Sequence, residues 1–125
     1  MQKVILTLGL PASGKTTWAK EELKNNPGKY KRVNKDDLRA MLDSHYTPEN
    51  EKFIIQSRDT LIEQSLRDGF SVIVDDTNLH PSHQTRIANI VERFNLDTSR
   101  DVKIETKFFN TPVDDCIVRD KKRVN

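Results

Sequence analysis

The sequence predicts an α/β fold: one domain with a mostly parallel sheet and helices on both faces. Three observations predict it. Short apolar runs such as Val4-Ile5-Leu6-Thr7-Leu8 and Val72-Ile73-Val74 have the composition of strands buried on both faces. Each gives way to a longer stretch whose apolar residues recur at helical spacing. The first of these handovers is a glycine-framed loop, Gly9-Leu10-Pro11-Ala12-Ser13-Gly14-Lys15-Thr16.

Taken in order, residues 4–8 form the first strand, and Thr17-Trp18-Ala19-Lys20-Glu21-Glu22-Leu23 continues the helix that opens near Gly14. Asn25-Asn26-Pro27-Gly28 stops that helix, and Tyr30-Lys31-Arg32-Val33 forms a short second strand. Capping residues around Asn34 precede a helix with Leu38, Met41 and Leu42 as its apolar positions. After the break at His45-Tyr46, Thr47 is an N-cap and Pro48 takes the first helical position. A long amphipathic helix over 49–68 places Ile54, Leu61, Ile62, Ser65 and Leu66 near one face and closes at Gly69. A strand over 70–74 runs into Asp75-Asp76-Thr77-Asn78. The next helix, 81–94, buries Ile87, Ile90, Val91 and Phe94. A strand over 102–109 and a helix over 112–122 follow. The order β-α-β-α-α-β-α-β-α requires right-handed crossovers, so a site should collect at the strand ends carrying Gly9, Asn34 and Asp75.

Composition bounds the chain. With 34% apolar residues in 125, the core should be thin. A net charge of +2 with 32% charged residues gives no global polybasic signature. Two local basic stretches, Lys15 to Arg39 and Arg119-Asp120-Lys121-Lys122-Arg123, face either polyanions or plain solvent. Cys116 is the only cysteine, which excludes an internal disulfide and fits a reducing compartment; it shares a helical face with Val113 and Ile117 and reads as core. No apolar stretch approaches a membrane span and no signal-peptide pattern opens the chain, so the expectation is a soluble, cytoplasmic protein without a membrane partner.

The loop matches G-x-x-x-x-G-K-[ST] at every fixed position. Clustered phosphate charge is held by inward-pointing backbone N–H groups, which only a tight loop without bulky side chains can supply. Lys15 can reach the β- and γ-phosphates, and Thr16 can ligate Mg²⁺. The residues expected to bind ATP·Mg²⁺ are Gly9, Pro11, Ala12, Ser13, Gly14, Lys15, Thr16 and Thr17. Asp75 or Asp76, at the end of an apolar strand, would support the metal directly or through water, or else satisfy the N–H groups of the next turn. Asp36 and Arg39, three apart, pair a proton-accepting carboxylate with an anion-holding guanidinium, or else cap the helix and form a surface ion pair. Arg119 and Arg123, four apart, form an arginine clamp in cis or a solvated basic helix end. His80-Pro81-Ser82-His83 has metal-ligand spacing without a third ligand nearby. Trp18 reads as core.

Across nearly its whole length the chain resembles the kinase domain of phage-type polynucleotide 5′-hydroxyl kinases. The resemblance rests on residues 6–19, on Asn26-Pro27-Gly28, on Asn34-Lys35-Asp36-Asp37-Leu38-Arg39, on Asp76-Thr77-Asn78-Leu79 and on Arg119 to Arg123. It implies a P-loop NTPase fold of the adenylate-kinase-like kind, ATP and Mg²⁺ as cofactors, and 5′-OH ends of DNA or RNA as acceptors in nucleic-acid repair. It further implies Asp36 as general base, Arg39 on the phosphate 3′ to the accepting nucleoside, Asp76 and Thr77 on the acceptor side, and Arg123 with Arg119 on the donor phosphates. Lys15, Asp36, Arg39, Asp76 and Arg123 are thus the expected catalytic set. The D-x-D-G-T signature of a 3′-phosphatase domain is absent, so coupling to a phosphatase or a ligase would be through a partner. Domains of this family continue past the arginine helix, so the chain is expected to be truncated at its lid; a phage protein would act in host cytoplasm. Two other readings share the scaffold: a kinase of a small metabolite or other non-nucleic substrate, and an ATP-binding module without transferase activity.

Overall fold

The computed structural model describes residues 1–109. The expected last helix, with Cys116, Arg119 and Arg123, lies outside the described residues. The elements are β1 (Lys3–Leu8), α1 (Lys15–Asn25), β2 (Tyr30–Val33), α2 (Lys35–Leu42), α3 (Pro48–Arg67), β3 (Ser71–Val74), α4 (Pro81–Thr98) and β4 (Lys103–Phe108). The four strands form one parallel sheet in the order β2-β3-β1-β4. Val4, Ile5 and Leu6 of β1 pair with Val72, Ile73 and Val74, while Lys3 to Leu8 pair with Lys103 to Phe108 on the other side. The chain leaves β1 toward β2 and later crosses from β3 to β4, so the strand order switches at β1, where ligands lodge in open α/β sheets.

Side-chain alternation along the strands divides the core in two. Val4, Leu6, Leu8, Val72 and Val74 face Ile62 and Leu66 of α3 and Ile87, Val91 and Phe94 of α4. Ile5 and Ile73 point the other way, onto Ala19 of α1, with Trp18, Leu23 and Tyr30 packed around them. Helices therefore cover both faces of the central strands. β4 differs from the central strands: all six of its residues are exposed. Its sequence, Lys103-Ile104-Glu105-Thr106-Lys107-Phe108, alternates charge with apolar groups as an edge strand does.

The helix ends follow their capping chemistry. The Asn34 side chain accepts from the Asp37 N–H and that of Thr47 from the Asn50 N–H, with Pro48 next. Gly69 takes φ 92° after α3. Two helical faces differ from expectation. On α2 only Leu38 is buried; Met41 and Leu42 are 71% and 45% exposed, because this eight-residue helix packs mainly against α3 and covers only one narrow stripe. On α3 Leu61 is exposed, and the buried line runs through Ile54, Arg58, Ile62 and Leu66, spaced by four. α4 continues four residues past Phe94, to Thr98. Among the described residues no helix is long and apolar enough to cross a membrane.

Candidate active site

β1 delivers the loop to the switch point. Gly14 caps α1 at φ 103°, a left-handed conformation that strains any residue bearing a Cβ. A Cβ on Gly9 would stand 2.7 Å from Ser13 Oγ and 3.0 Å from Phe109 Cβ, so the loop closes only around hydrogen. The Gly9 N–H donates to the Thr77 carbonyl at 3.3 Å, tying the loop to the segment after β3. Asn78, at φ 53°, completes the tie: its amide nitrogen lies 3.0 to 3.2 Å from the carbonyls of Thr7, Val74 and Asp76. Lys15 is buried, and its ammonium donates to the Gly9 and Leu10 carbonyls at 3.0 and 2.8 Å. A lysine reaching back across its own loop is placed to move onto phosphate oxygens entering the same cradle.

Asp75 and Asp76 follow β3 and turn in different directions. Asp75 is 1% exposed. Its Oδ2 accepts from Arg32 Nε at 2.7 Å, and Arg32 reaches Asp37 with Nη1 at 2.6 Å. Its carbonyl accepts from the Asn34 amide. Burial raises the Asp75 pKa against the opposing pull of Arg32 and the Thr16 hydroxyl. Its Oδ1 is buried and has no hydrogen-bond partner among the described residues. An orphaned carboxylate oxygen beside Thr16, at the end of a phosphate cradle, fits a hydrated Mg²⁺, which needs few protein ligands. Asp76 is engaged elsewhere. Its Oδ1 accepts from the Lys35 N–H at 2.9 Å and its Oδ2 lies 3.5 Å from Arg58 Nη1. Among the described residues neither carboxylate accepts from an N–H of the following turn, where the Asn78 amide instead donates to the Val74 and Asp76 carbonyls.

α2 starts beside this strand end. Asn34, not Asp36, is its N-cap, so Asp36 sits in the first turn with its side chain 82% exposed. Arg39 Nη1 donates to Asp36 Oδ1 at 2.6 Å, while Arg39 Nε and Nη2 grip both carboxylate oxygens of Glu51 at 2.8 and 2.7 Å. These groups share one cleft of about 330 Å³, lined by Pro11, Lys15 and Thr16 of the loop and the start of α1 and by Asp36, Arg39, Asp76 and Thr77 with their neighbours. That volume is at the small end for ligand sites. Ala12 at φ 63° shapes the loop and Thr17 is exposed on α1.

Four further residues line or brace the cleft beyond the set that the sequence was expected to place there. Lys35, half-buried, and His83 line the cleft. Glu51 fixes Arg39 and Arg58 fixes Asp76. Arg58 had a readable signal, since a charged residue stands midway between Ile54 and Ile62 on an apolar stripe. Glu51 had none, because its partner lies across a loop. His80 Nδ1 accepts from the Ser82 N–H at 3.1 Å and so caps α4. The His83 ring meets it edge-on at 6.0 Å. Among the described residues no group of three or more His, Cys, Asp or Glu could hold a metal. Trp18 packs under the loop, tilted against Phe109 at 6.0 Å.

Comparison with known proteins bears on the family and the fold. A family model described as an AAA domain matches residues 4–125. Over 97 residues the chain is 33% identical to an L-seryl-tRNA(Sec) kinase of Methanococcus maripaludis, covering 71% of this chain and 36% of that protein. A chain of the Pnkp1/Rnl/Hen1 complex superposes with a TM-score of 0.80 at 27% identity, covering 94% of this chain and 38% of that one. The Mycobacterium tuberculosis APS kinase CysC, solved with AMPPNP and APS, shares the fold, with a TM-score of 0.68 at 20% identity over 98% of this chain and 70% of its own. The chain thus spans little more than a third of the first two relatives. With nearly every residue inside the matched span and the phosphate loop built as that fold requires, the chain belongs to the AAA domain family, as a P-loop, kinase-like member.

Proposed function

We propose that this chain transfers the γ-phosphoryl group of ATP to the 5′-hydroxyl of a DNA or RNA end in nucleic-acid repair. The observation that carries the reading is the single cleft lined both by Lys15 and Thr16 and by the Asp36–Arg39 pair. The acceptor oxygen bonds to the γ-phosphorus as the bond from that phosphorus to the β,γ-bridging oxygen breaks. ADP leaves, and the hydroxyl proton passes to Asp36. Lys15 exchanges its loop carbonyls for phosphate oxygens and offsets the charge on the transferring group. Mg²⁺, held by Thr16 and through water by Asp75, would add charge neutralisation there. Arg39 orients the acceptor through the phosphate 3′ to the accepting nucleoside, and Asp76 and Thr77 wall the acceptor side. Arg119 and Arg123 take the donor-clamp role that the family resemblance gives them.

Likeness to a chain of an RNA repair complex supports both the acceptor class and functional coupling to a ligase. A second reading has its own support. The relative at 33% identity is named as a kinase of seryl-tRNA, so a hydroxyl other than a 5′ end is the competing acceptor. The deciding experiment incubates the protein with γ-labelled ATP and a 5′-OH oligonucleotide, the same oligonucleotide already 5′-phosphorylated, a nucleoside, and its 3′-monophosphate. Label on the first and fourth only is the expected result. Equal use of nucleoside and 3′-monophosphate would remove the role given to Arg39, and ATP binding without any labelled acceptor would leave a nucleotide-binding module.

A further inference from the structure

Counting charge on the acceptor half of the cleft exposes a deficit. Arg39 carries one positive charge and spends three of its five N–H groups on two carboxylates, Asp36 and Glu51. That trio sums to minus one. Arg58, fully buried, lies against both Asp76 and Asp59, and Asp59 also holds Arg86. That group is neutral. Burial and the nearby Lys35, Arg58 and His80 charges lower the His83 pKa, so His83 adds no cation at pH 7. An acceptor phosphate arriving beside Arg39 would therefore meet a surface with no net attraction for it.

One cation on this side is uncompensated. Lys35, first residue of α2, lines the cleft half-buried, and among the described residues its ammonium makes no hydrogen bond or ion pair. Its neighbours by charge are Asp76 and Glu51, each already engaged, and Arg58 and Arg39, which repel it. Desolvation dominates and its pKa is lowered. A partly desolvated ammonium whose nearby carboxylates are already engaged by other cations is unfavourable, and an incoming anion relieves that penalty.

Building on the proposed acceptor class, we propose that Lys35 binds the acceptor's phosphate: its ammonium holds the phosphate 3′ to the accepting nucleoside, and the two uncommitted N–H groups of Arg39 set that phosphate's orientation. Lys35 supplies attraction and Arg39 geometry.

The test is binding of a 5′-OH oligonucleotide, labelled with a dye at its 3′ end, to the full chain, read by fluorescence anisotropy. The expected result is that Lys35→Gln weakens binding about tenfold while Lys35→Arg stays within about threefold. Removing one phosphate contact should flatten the slope of log affinity against log salt by about 0.7. ATP affinity should not move. Oligonucleotide binding by Lys35→Gln equal to that of the unaltered protein overturns the proposal, and so does an equal loss of ATP affinity. If the unaltered protein binds no oligonucleotide, the acceptor class falls; Lys35 is then judged by titrating inorganic phosphate with AMPPNP filling the loop. Movement of the Lys35 Nζ resonance keeps the anion site, and a still resonance removes it.

Discussion

Arg39 of α2 and Glu51 of α3 face each other in a two-bonded fork, Nε to Oε2 at 2.8 Å and Nη2 to Oε1 at 2.7 Å. The side chains are about three-quarters buried, so the pair is better shielded than a surface ion pair. It ties α2 to α3 across the polar loop between them, and it fixes the guanidinium proposed to orient the acceptor.

Glu51→Gln tests the fork by its pH dependence. Hydrogen bonding from Arg39, followed by its charge, holds the Glu51 pKa below the ordinary 4.5. A depressed carboxylate pKa contributes stability that is complete above 4.5 and vanishes as pH falls through the lowered folded value. The unaltered protein should therefore melt higher than Glu51→Gln at pH 7, and the two melting temperatures should converge in acid. A constant gap across the acid range would mean that the fork does not titrate with folding.

Arg58→Met probes the buried cation under the acceptor wall. Arg58 is 0% exposed, and without it Asp76 loses the guanidinium that lies 3.5 Å from its Oδ2. Removing one member of a buried pair typically costs about 3–5 kcal/mol. The double variant Arg58→Met with Asp76→Asn should recover much of that loss, because the stranded charge is gone. Chemical denaturation of the three proteins measures this, and additive losses would show that the two residues do not interact.

Gly14→Ala places a Cβ at φ 103°, where strain costs on the order of 1–3 kcal/mol. Gly9→Ala has ordinary backbone freedom but a 2.7 Å clash with Ser13 Oγ, which distorts the loop directly. Both should lose ATP affinity in equilibrium binding. Gly28→Ala is the control, having a positive φ but nothing within 4 Å of the added carbon, so it should lose some stability and no nucleotide affinity.

The strand and helix order was legible because each run carries its own signal: unbroken apolar strands, Asn34 and Thr47 as caps, Pro48 at N1, Gly69 as the stop. What failed were exposures that depend on how the helices pack. Met41, Leu42 and Leu61 keep helical spacing yet face water, since α2 buries only Leu38 and α3 turns the line of Ile54, Arg58, Ile62 and Leu66 inward. At the site, local pairs were readable and distant ones were not. Asp36 and Arg39 are one helical turn apart and do meet. The Arg39–Glu51, Arg58–Asp76 and Arg32–Asp75 contacts span 12, 18 and 43 residues, and no spacing rule reaches across loops of that length.

Lys15 and Asp36 both line the cleft, and their alanine variants should separate binding from transfer. Lys15 is buried against its own loop, so Lys15→Ala removes a phosphate ligand and a loop brace together. ATP affinity and transfer should fall together. Asp36 is 82% exposed at its side chain and among the described residues bonds only to Arg39, so Asp36→Ala should change stability by no more than about 0.5 kcal/mol. Its loss removes the proton acceptor, worth roughly 10²–10⁴ in rate. ATP should still bind normally. Equilibrium binding of AMPPNP and single-turnover transfer to a 5′-OH oligonucleotide measure the two halves independently. An Asp36→Ala protein that folds, binds AMPPNP normally and transfers at the unaltered rate would take the general base away from α2. One that folds but loses AMPPNP would place Asp36 at the donor end, which its exposure and its bond to Arg39 argue against.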